Sequence, residues 1–394
     1  MDGNESRYRA WLDERKNSGL LRELKQAGVD EPGCVTYGGE PYVNFSGNDY
    51  LGLSRRRELI SRASEWAQQY GAGAGASRLV TGNLELFEGI ERKVASLKGF
   101  ASALVMASGF QTNAAVLQAV LDKKVLGAEP LVFCDRLNHA SMHFGCQAAG
   151  IHQHRYRHCD MKHLVTLLAK FDKATQPKFI LTESVFSMDG DVAPMEEIAK
   201  LASAHGATLI CDDAHATGVL GEGGKGLSEG SDIVIGTFSK ALGSYGAYVA
   251  CSKNIKDYLV NRCSGLIYST ALPPPVLGAI DASLDLLPAL DAERVHVAGL
   301  AERFRNGVRA LGFDTGASAT QIVPVIIGET GAALDLSERL ARAGYWATAI
   351  RPPTVPDGTA RLRFAFSAVH TSRQVDELLE VLADMAAGQR VNMA

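Results

Sequence analysis

The sequence has no excess of positive charge and no long apolar run. Its 394 residues carry 40 Lys and Arg against 44 Asp and Glu, for a net charge of -4. A nucleic-acid-binding surface usually needs a basic patch, so this balance argues against a nucleic-acid partner. A membrane-spanning helix needs about 18 or more consecutive apolar residues, and since no such stretch occurs we expect no membrane span.

The cysteines form neither a disulfide framework nor a metal-binding pattern. There are seven, an odd number, and no Cys-x-x-Cys pair occurs. Reduced thiols in a cytoplasmic protein are the simplest interpretation. The polar segment Met1–Ser6 lacks the apolar core of a signal peptide, so none is expected and a cytoplasmic location is favoured.

Two conspicuous patterns have simple explanations. Six histidines fall between His139 and His163, but no Cys or carboxylate spacing beside them suits a tetrahedral site, so no metal is predicted. The segment Gly71–Ala76 fits the G-x-G-x-x-A fingerprint of a dinucleotide site, which should follow a strand. Here it follows the helical Leu59–Tyr70, so a substrate-side loop is favoured over a nicotinamide site.

Short apolar runs alternate with helical segments through the middle of the chain. Segments such as Gln111–Leu121, Met161–Leu168 and Met195–His205 have helical periodicity. This alternation predicts an α/β fold with a mostly parallel sheet covered by helices on both faces. The predicted strands are Ala103–Met106, Leu131–Cys134, Phe179–Leu181, Thr208–Cys211, Ile233–Ile235 and Ala247–Ala250.

The chain is too long for one ordinary domain, so we predict a large domain and a smaller one. After Pro273–Pro275 the pattern changes to a long helical region that runs to about Leu311, followed by mixed strands and helices. We therefore divide the chain into an N-terminal arm (1–45), a large domain (46–284) and a small C-terminal α+β domain (285–394). The arm contains a charged helix from Arg7 to about Ala27 and an extended Val35–Phe45.

Lys240 is the residue that best indicates the chemistry. It follows the apolar run Ile233–Ile235, and a lysine at the end of a buried strand is out of place unless its amine is used. Desolvation favours the neutral amine that forms Schiff bases. An aldehyde cofactor acting as an electron sink needs such a lysine and an acid for its ring nitrogen. Asp212 ends an apolar run and is placed to be that acid.

The remaining needs of such a cofactor also have candidates. His215 could hydrogen-bond a phenolic oxygen, and His139 offers an aromatic plane. Gly109 and Phe110 open a helix, and helix N-termini bind phosphate through free N–H groups. Hydroxyl donors are available at Ser187 and Thr237.

The strings Asp212–Gly218 and Thr237–Gly243 resemble the α-oxoamine synthases, pyridoxal-phosphate enzymes of the fold-type I aminotransferase superfamily. Within that family the chain is similar to the 8-amino-7-oxononanoate synthases, through Gly73–Arg78, Thr348–Pro356 and Gly358–Arg363. The resemblance extends over nearly the whole chain through Asn44–Leu53, Ser108–Phe110, Asn138–Ser141, Glu183–Gly190 and Ile267–Thr270.

The resemblance implies pyridoxal 5'-phosphate as cofactor and a role for each matched residue. Lys240 would bind the cofactor covalently and move the substrate α-proton, and His139 would stack on the ring. Asp212 would pair with the ring nitrogen and His215 with the phenolic oxygen. Further cofactor contacts would come from Gly109, Phe110, Ser187, Thr237 and Thr270 of the partner subunit.

The resemblance also implies the substrates and a homodimer with shared active sites. The reaction would be decarboxylative condensation of L-alanine with a pimeloyl thioester, of CoA or of acyl carrier protein, giving 8-amino-7-oxononanoate. Asn48 and Arg363 would contact the amino-acid carboxylate, and Arg22 and Thr354 the acyl substrate. Ser77 favours the alanine-using enzyme.

Two alternatives remain open at this stage. One is a sister synthase that joins glycine or serine to another acyl-CoA, as aminoketobutyrate ligase and 5-aminolevulinate synthase do. The other is a catalytically silent homologue that serves as a partner-binding subunit, against which the joint presence of Lys240, Asp212 and His215 argues. Ala216 and the bulky Gly243–Tyr248 depart from the usual family strings, which bears on the shape of the acyl channel.

Overall fold

The computed structural model describes residues 2–392, and its contacts divide the chain into two compact units. Unit 1 comprises the residues up to 47, 188–191 and those from 296 onward; unit 2 comprises 48–187 and 192–295. The strands are β1 (Cys34–Tyr37), β2 (Glu40–Asn44), β3 (Ser102–Met106), β4 (Leu131–Asp135), β5 (Gln153–Tyr156), β6 (Lys178–Glu183), β7 (Ala207–Asp212), β8 (Ile233–Thr237), β9 (Ala247–Cys251), β10 (Ile322–Gly328), β11 (Tyr345–Trp346), β12 (Thr348–Ile350) and β13 (Ala360–Ala365).

The α-helices fall between these strands and at both ends of the chain. None of those in residues 2–392 combines the length and apolarity needed to cross a membrane. They are α1 (Asp2–Asn17), α2 (Arg57–Tyr70), α3 (Leu86–Lys98), α4 (Gly109–Val120), α5 (Lys123–Leu126), α6 (Ala140–Ala148), α7 (Met161–Ala169), α8 (Met195–Ala204), α9 (Lys253–Arg262), α10 (Ser264–Ile267), α11 (Pro274–Leu286), α12 (Asp291–Ala310), α13 (Thr330–Arg342) and α14 (Ser372–Asn392).

Unit 2 is built on a seven-stranded sheet with the order β3-β9-β8-β7-β6-β4-β5. Strands β5, β4, β6, β7 and β8 run parallel, whereas β9 is antiparallel to both β8 and β3. The carboxyl ends of the parallel strands therefore meet at one edge of the sheet, where ligands bind in open α/β folds.

Both faces of this sheet are buried, which explains the near-continuous apolar runs. In β4, Val132 and Cys134 belong to one hydrophobic cluster, while Leu131 and Phe133 belong to another. Successive side chains of a strand point to opposite faces, so these clusters are two separate apolar layers. The predicted mostly parallel sheet covered on both faces is thus confirmed.

Unit 1 contains two three-stranded sheets, ordered β1-β2-β11 and β10-β13-β12. The β1–β2 pair is a hairpin with Gly38 and Gly39 at its turn, both at positive φ. Strand β13 is central in its sheet and is antiparallel to β10 and β12. The predicted α+β character of the C-terminal region is confirmed.

The structure differs from the predicted element boundaries in three places. The N-terminal helix ends at Asn17 rather than near Ala27, and Gly19 at a φ of 68° follows it. The long helical region before Leu311 is two helices, α11 and α12. Strand β5 was not predicted, because its sequence Gln-His-Arg-Tyr lacks the apolar pattern of the inner strands.

The predicted division into 1–45, 46–284 and 285–394 has boundaries near those of the two units. The structure groups the N-terminal residues with the C-terminal unit, since β2 pairs with β11. A three-part division into folding units stays a prediction.

His370 is a buried histidine that unit 1 holds in the neutral form. Its Nδ1 accepts from the backbone N–H of Ser367 at 3.1 Å, and its Nε2 lies 3.1 Å from the carbonyl oxygen of Asn44. Burial, the largest cause, lowers the pKa of His370 from 6.5 to about 4. Only 2% of the residue is exposed, so protonation would put a charge in an apolar environment.

This burial predicts a pH-dependent stability. Between pH 6.5 and about 4 the unfolded chain binds a proton at His370 that the folded chain does not. The free energy of unfolding should therefore fall as the pH is lowered through this range, by about 3 kcal/mol in total. Urea unfolding of the wild type and of His370→Gln at pH 7 and pH 4.5 would measure it.

The variant should lose less stability than the wild type between the two pH values. Exposed His152 provides the matched control, because His152→Gln should keep the wild-type slope. An equal acid loss in the wild type and His370→Gln would contradict the assignment.

Candidate active site

Lys240 lies in the loop that joins the antiparallel strands β8 and β9. The loop is closed by backbone hydrogen bonds from Phe238 N to Gly246 O and from Ser244 N to Phe238 O. Gly243 lies in this loop with a φ of 62°. A Cβ there would collide with the backbone of residues 53 and 54. Glycine is therefore required three positions after the lysine, because no other residue tolerates both that φ and such a close approach.

The amine of Lys240 is hydrogen-bonded to His215. Its Nζ lies 2.6 Å from His215 Nε2, and His215 Nδ1 lies 2.7 Å from the hydroxyl of Tyr50. The Tyr50 hydroxyl also lies 3.0 Å from Asn48 Oδ1, so four side chains form one chain of contacts. Lys240 and Asn48 are half-buried, whereas Tyr50 and His215 are buried.

Asp212 is a buried carboxylate at the end of β7. Its Oδ2 accepts from Asn113 Nδ2 at 2.6 Å, and its Oδ1 accepts from the backbone N–H of Ala214 at 3.0 Å. Within residues 2–392 no Lys, Arg or His side chain forms an ion pair with it. A buried carboxylate that has donors but no ion pair suits a cationic ring nitrogen.

The start of α4 is where the sequence predicted an anion site, and that role stays a prediction. Ser108 caps the helix, and Gly109 is its first residue. A Cβ at Gly109 would lie 3.9 Å from Thr237 Oγ1, so the helix start and the end of β8 are neighbours. Free N–H groups and a hydroxyl there suit a phosphate group.

His139 lies directly before α6, with Phe110 beside it. The two rings are 6.4 Å apart at an interplanar angle of 78°. The backbone N–H of His139 donates to the buried carboxyl of Glu183 at 2.5 Å. Burial, and then the charge of Asp212, raise the pKa of Glu183 well above its usual value. Desolvation by the surrounding protein lowers the pKa of His139, although its surface is exposed.

Three further predicted residues lie in unit 2. Ser77 and Thr270 form an isolated antiparallel bridge within the same chain. Thr270 is exposed, and its predicted role in the site of a partner subunit stays a prediction. Ser187 is buried in the segment that follows β6.

The predicted residues of unit 1 include one pair in direct contact. Arg22 Nη2 donates to Thr354 Oγ1 at 3.0 Å, although the two are 332 positions apart. Both side chains are exposed, and Arg351 lies near them, donating to the backbone carbonyl of Leu21 at 2.9 Å. Arg363 is buried on β13.

One group of potential metal ligands was not suggested by the sequence spacing. Within the described part of the chain, Asp135, His158 and Cys159 have ligand atoms that lie within 4.8 Å of one another. Both oxygens of Asp135 already accept hydrogen bonds, from His158 Nδ1 and from the backbone N–H of Cys159. The group is thus explained as an anchor for these turns.

Sequence reasoning missed several residues that contact the candidates, including Tyr50, Asn113, Ser141 and Glu183. Tyr50 and Glu183 lie in strings that were singled out, but their partners are distant in sequence. Asn113 is inside α4, where its polarity among apolar neighbours was the only available signal.

The chain matches the family "Aminotransferase class I and II" over residues 40–382. It is 55% identical over 387 residues to a Bordetella pertussis protein provisionally named 8-amino-7-oxononanoate synthase, covering 97% of this chain and 98% of that one. It is 53% identical over 384 residues to the 8-amino-7-oxononanoate synthase of Gluconacetobacter diazotrophicus, covering 96% of each.

Similarity to a solved structure confirms the fold. The serine palmitoyltransferase of Sphingomonas wittichii superimposes with a TM-score of 0.91 at 25% identity, covering 98% of each chain. The chain is thus an enzyme of the class I and II aminotransferase family. Within it the chain belongs to the α-oxoamine synthases, which depend on pyridoxal phosphate, and is similar to 8-amino-7-oxononanoate synthase.

Proposed function

We propose that this enzyme condenses L-alanine with a pimeloyl thioester to give 8-amino-7-oxononanoate, carbon dioxide and free thiol. One carbon–carbon bond forms, between the alanine α-carbon and the acyl carbon. The acyl carbon–sulfur bond and the bond to the alanine carboxylate break. The observation that carries the proposal is the hydrogen bond of Lys240 to His215 beside the buried carboxylate of Asp212.

The residues described above suit pyridoxal phosphate. Lys240 would hold its aldehyde carbon, Asp212 its ring nitrogen and His215 its phenolic oxygen. Its phosphate would lie at the start of α4, and the contacts there would come from Gly109, Phe110, Ser187, Thr237 and the partner subunit's Thr270. When bound, the cofactor supplies an electron sink that stabilises negative charge at the substrate α-carbon.

We assign Lys240 as the base that removes the α-proton of alanine. Its amine lies 2.6 Å from His215 Nε2, so a proton on either group can be shared with the other. Tyr50 holds the far side of the His215 ring, which fixes the direction of Nε2. Lys240 would take the α-proton of alanine and later return a proton to the same carbon.

The two substrates would be bound by different residues. Asn48 and Arg363 would bind the alanine carboxylate. The paired Arg22 and Thr354 would contact the acyl substrate, and a guanidinium with a hydroxyl suits its negatively charged groups. Ser77 would lie on the substrate side of the site.

We also infer a homodimer with shared sites and a cytoplasmic location. The side chains of Tyr268 and Thr270 are exposed in the single chain, and Tyr268 is 83% exposed. An exposed aromatic side chain beside a residue assigned to the site of the partner subunit supports a second copy at this surface.

The proposed reaction predicts a specific substrate pair. Purified enzyme offered alanine, glycine or serine against acyl-CoAs of several chain lengths should release thiol fastest with alanine and pimeloyl-CoA. Thiol release measures turnover, and mass spectrometry of the product identifies 8-amino-7-oxononanoate. Turnover with glycine and a short acyl-CoA, with alanine and pimeloyl-CoA inert, would favour the sister synthases instead.

The control for this assay is Lys240→Ala. The variant should lose both the yellow colour of the bound cofactor and thiol release, because no amine remains to bind the aldehyde or move the proton. A variant that keeps full turnover would rule out Lys240 as the reacting amine.

The contact between Arg22 and Thr354 predicts an acyl-specific defect in Arg22→Ala. A hydrogen bond to a charged group contributes about 1.5–3 kcal/mol, so kcat/KM for the acyl thioester should fall about tenfold to hundredfold. KM for alanine should stay unchanged. Arg9→Ala, which removes an exposed charge from α1, is the matched control and should change neither value.

The Tyr50 hydroxyl predicts a defect in Tyr50→Phe. The change removes one partner of His215 Nδ1 without changing the aromatic ring. Leaving a buried hydrogen-bonding group without its partner costs about 1–3 kcal/mol, so kcat should fall about fivefold to hundredfold. Tyr258→Phe removes a hydroxyl that donates to the carbonyl of Ala119, and it should leave kcat unchanged.

A further inference from the structure

Two buried side chains outside the predicted site link His139 to Asp212. Asn113 Nδ2 lies 2.6 Å from Asp212 Oδ2 and 3.0 Å from Ser141 Oγ. Ser141 Oγ in turn lies 2.6 Å from His139 Nδ1. Asn113 is 2% exposed and Ser141 is fully buried, so water does not compete for the hydrogen bonds of Asn113.

The direction of donation along this series of hydrogen bonds follows from Asn113. The amide nitrogen of Asn113 can only donate, and its two hydrogens match its two partners, Asp212 and Ser141. Ser141 Oγ therefore accepts from Asn113 and has its own hydrogen left to donate. Its remaining partner is His139 Nδ1.

A second contact fixes His139 Nδ1 as an acceptor. His139 caps α6, and its Nδ1 accepts from the backbone N–H of Ser141 at 3.3 Å. A nitrogen that accepts from this N–H carries no proton, so a neutral ring holds its proton on Nε2. Nε2–H is then the ring's hydrogen-bond donor.

At the other end, the carboxyl group of Asp212 is held in one orientation. Both of its oxygens accept N–H hydrogen bonds, one from Asn113 and one from Ala214.

This arrangement leaves the side-chain carbonyl of Asn113 without a hydrogen bond among the described residues. This oxygen, Oδ1, is buried. A buried acceptor left unpaired is destabilising, and an aliphatic side chain at this position in α4 would avoid that loss of stability. Flipping the amide would place this oxygen against Asp212 Oδ2, so the unpaired state is the better of the two.

We propose that Asn113 and Ser141 are positioning residues that couple His139 to Asp212, keeping His139 as the neutral tautomer protonated on Nε2 and holding the carboxyl group of Asp212 in one orientation. The inference rests on the roles proposed above for His139 and Asp212. A neutral ring can pack flat against the cofactor without placing a second positive charge near its ring nitrogen. Nε2–H remains available to a substrate or cofactor oxygen.

The first test is nitrogen NMR of enzyme with ¹⁵N-labelled histidine, and it needs no change to the network. His139 is assigned by the signals missing from His139→Gln. At pH 7.5, with and without pyridoxal phosphate, Nδ1 should be unprotonated and Nε2 protonated. In Ser141→Ala the shorter Oγ contact is lost and only the longer backbone contact at 3.3 Å is left, so the signals should move partway toward the average of the two tautomers. A proton on Nδ1 in the wild type, or no change in the variant, would overturn the proposal.

The second test is a double-mutant cycle on cofactor affinity. The Kd of pyridoxal phosphate for apoenzyme should rise about fivefold to hundredfold in Asn113→Ala, because buried Asp212 loses a hydrogen-bond donor. Because both residues act through one network, Asn113→Ala with Ser141→Ala should cost no more than Asn113→Ala alone. Additive costs, or an unchanged Kd in both single variants, would refute the coupling.

The matched control is Ser283→Ala. Ser283 is also fully buried in unit 2, but its hydroxyl donates to the carbonyl of Ile280 within α11. This variant should keep the wild-type Kd. Neither test uses a substrate, so failure of the alanine assay with a positive result here would remove the proposed reaction and leave the network in place.

Discussion

The central sheet buries both of its faces, and this constraint determines where titratable groups can lie. In a strand packed between two apolar layers, a carboxylate avoids a large desolvation cost only at the end of the strand. Strands β4, β6 and β7 end in Asp135, Glu183 and Asp212 at one edge, where Glu183 and Asp212 are directly paired. The candidate site is therefore a consequence of the parallel arrangement, and side chains distant in sequence meet there.

The carboxylate that follows Asp212 in the sequence is paired within the protein. Asp213, next to Asp212, forms a buried ion pair with Lys98 and accepts hydrogen bonds from Thr217 and from the backbone of Leu227. Removing one member of a buried pair typically costs about 3–5 kcal/mol because the other charge is left uncompensated. Asp213 thus holds the loop after β7 in place.

Much of the fold and of the candidate site follows from local sequence. The strand runs predicted β4, β6, β7 and β8, and the residues after them included Lys240, Asp212 and His215. What local sequence does not encode is the partner across the fold. Asn113 reaches Asp212 over 99 positions, and only the packing of α4 determines that contact.

Substitution of one glycine would disturb two parts of the candidate site at the same time. The turn at Gly243 lies against the backbone of residues 53 and 54, just after the segment with Asn48 and Tyr50. A side chain there would displace the lysine loop and that segment at the same time. A screen of random variants would score the position as essential, although Gly243 has no reacting group. The position would not tolerate a side chain because two backbone segments pass close to each other there.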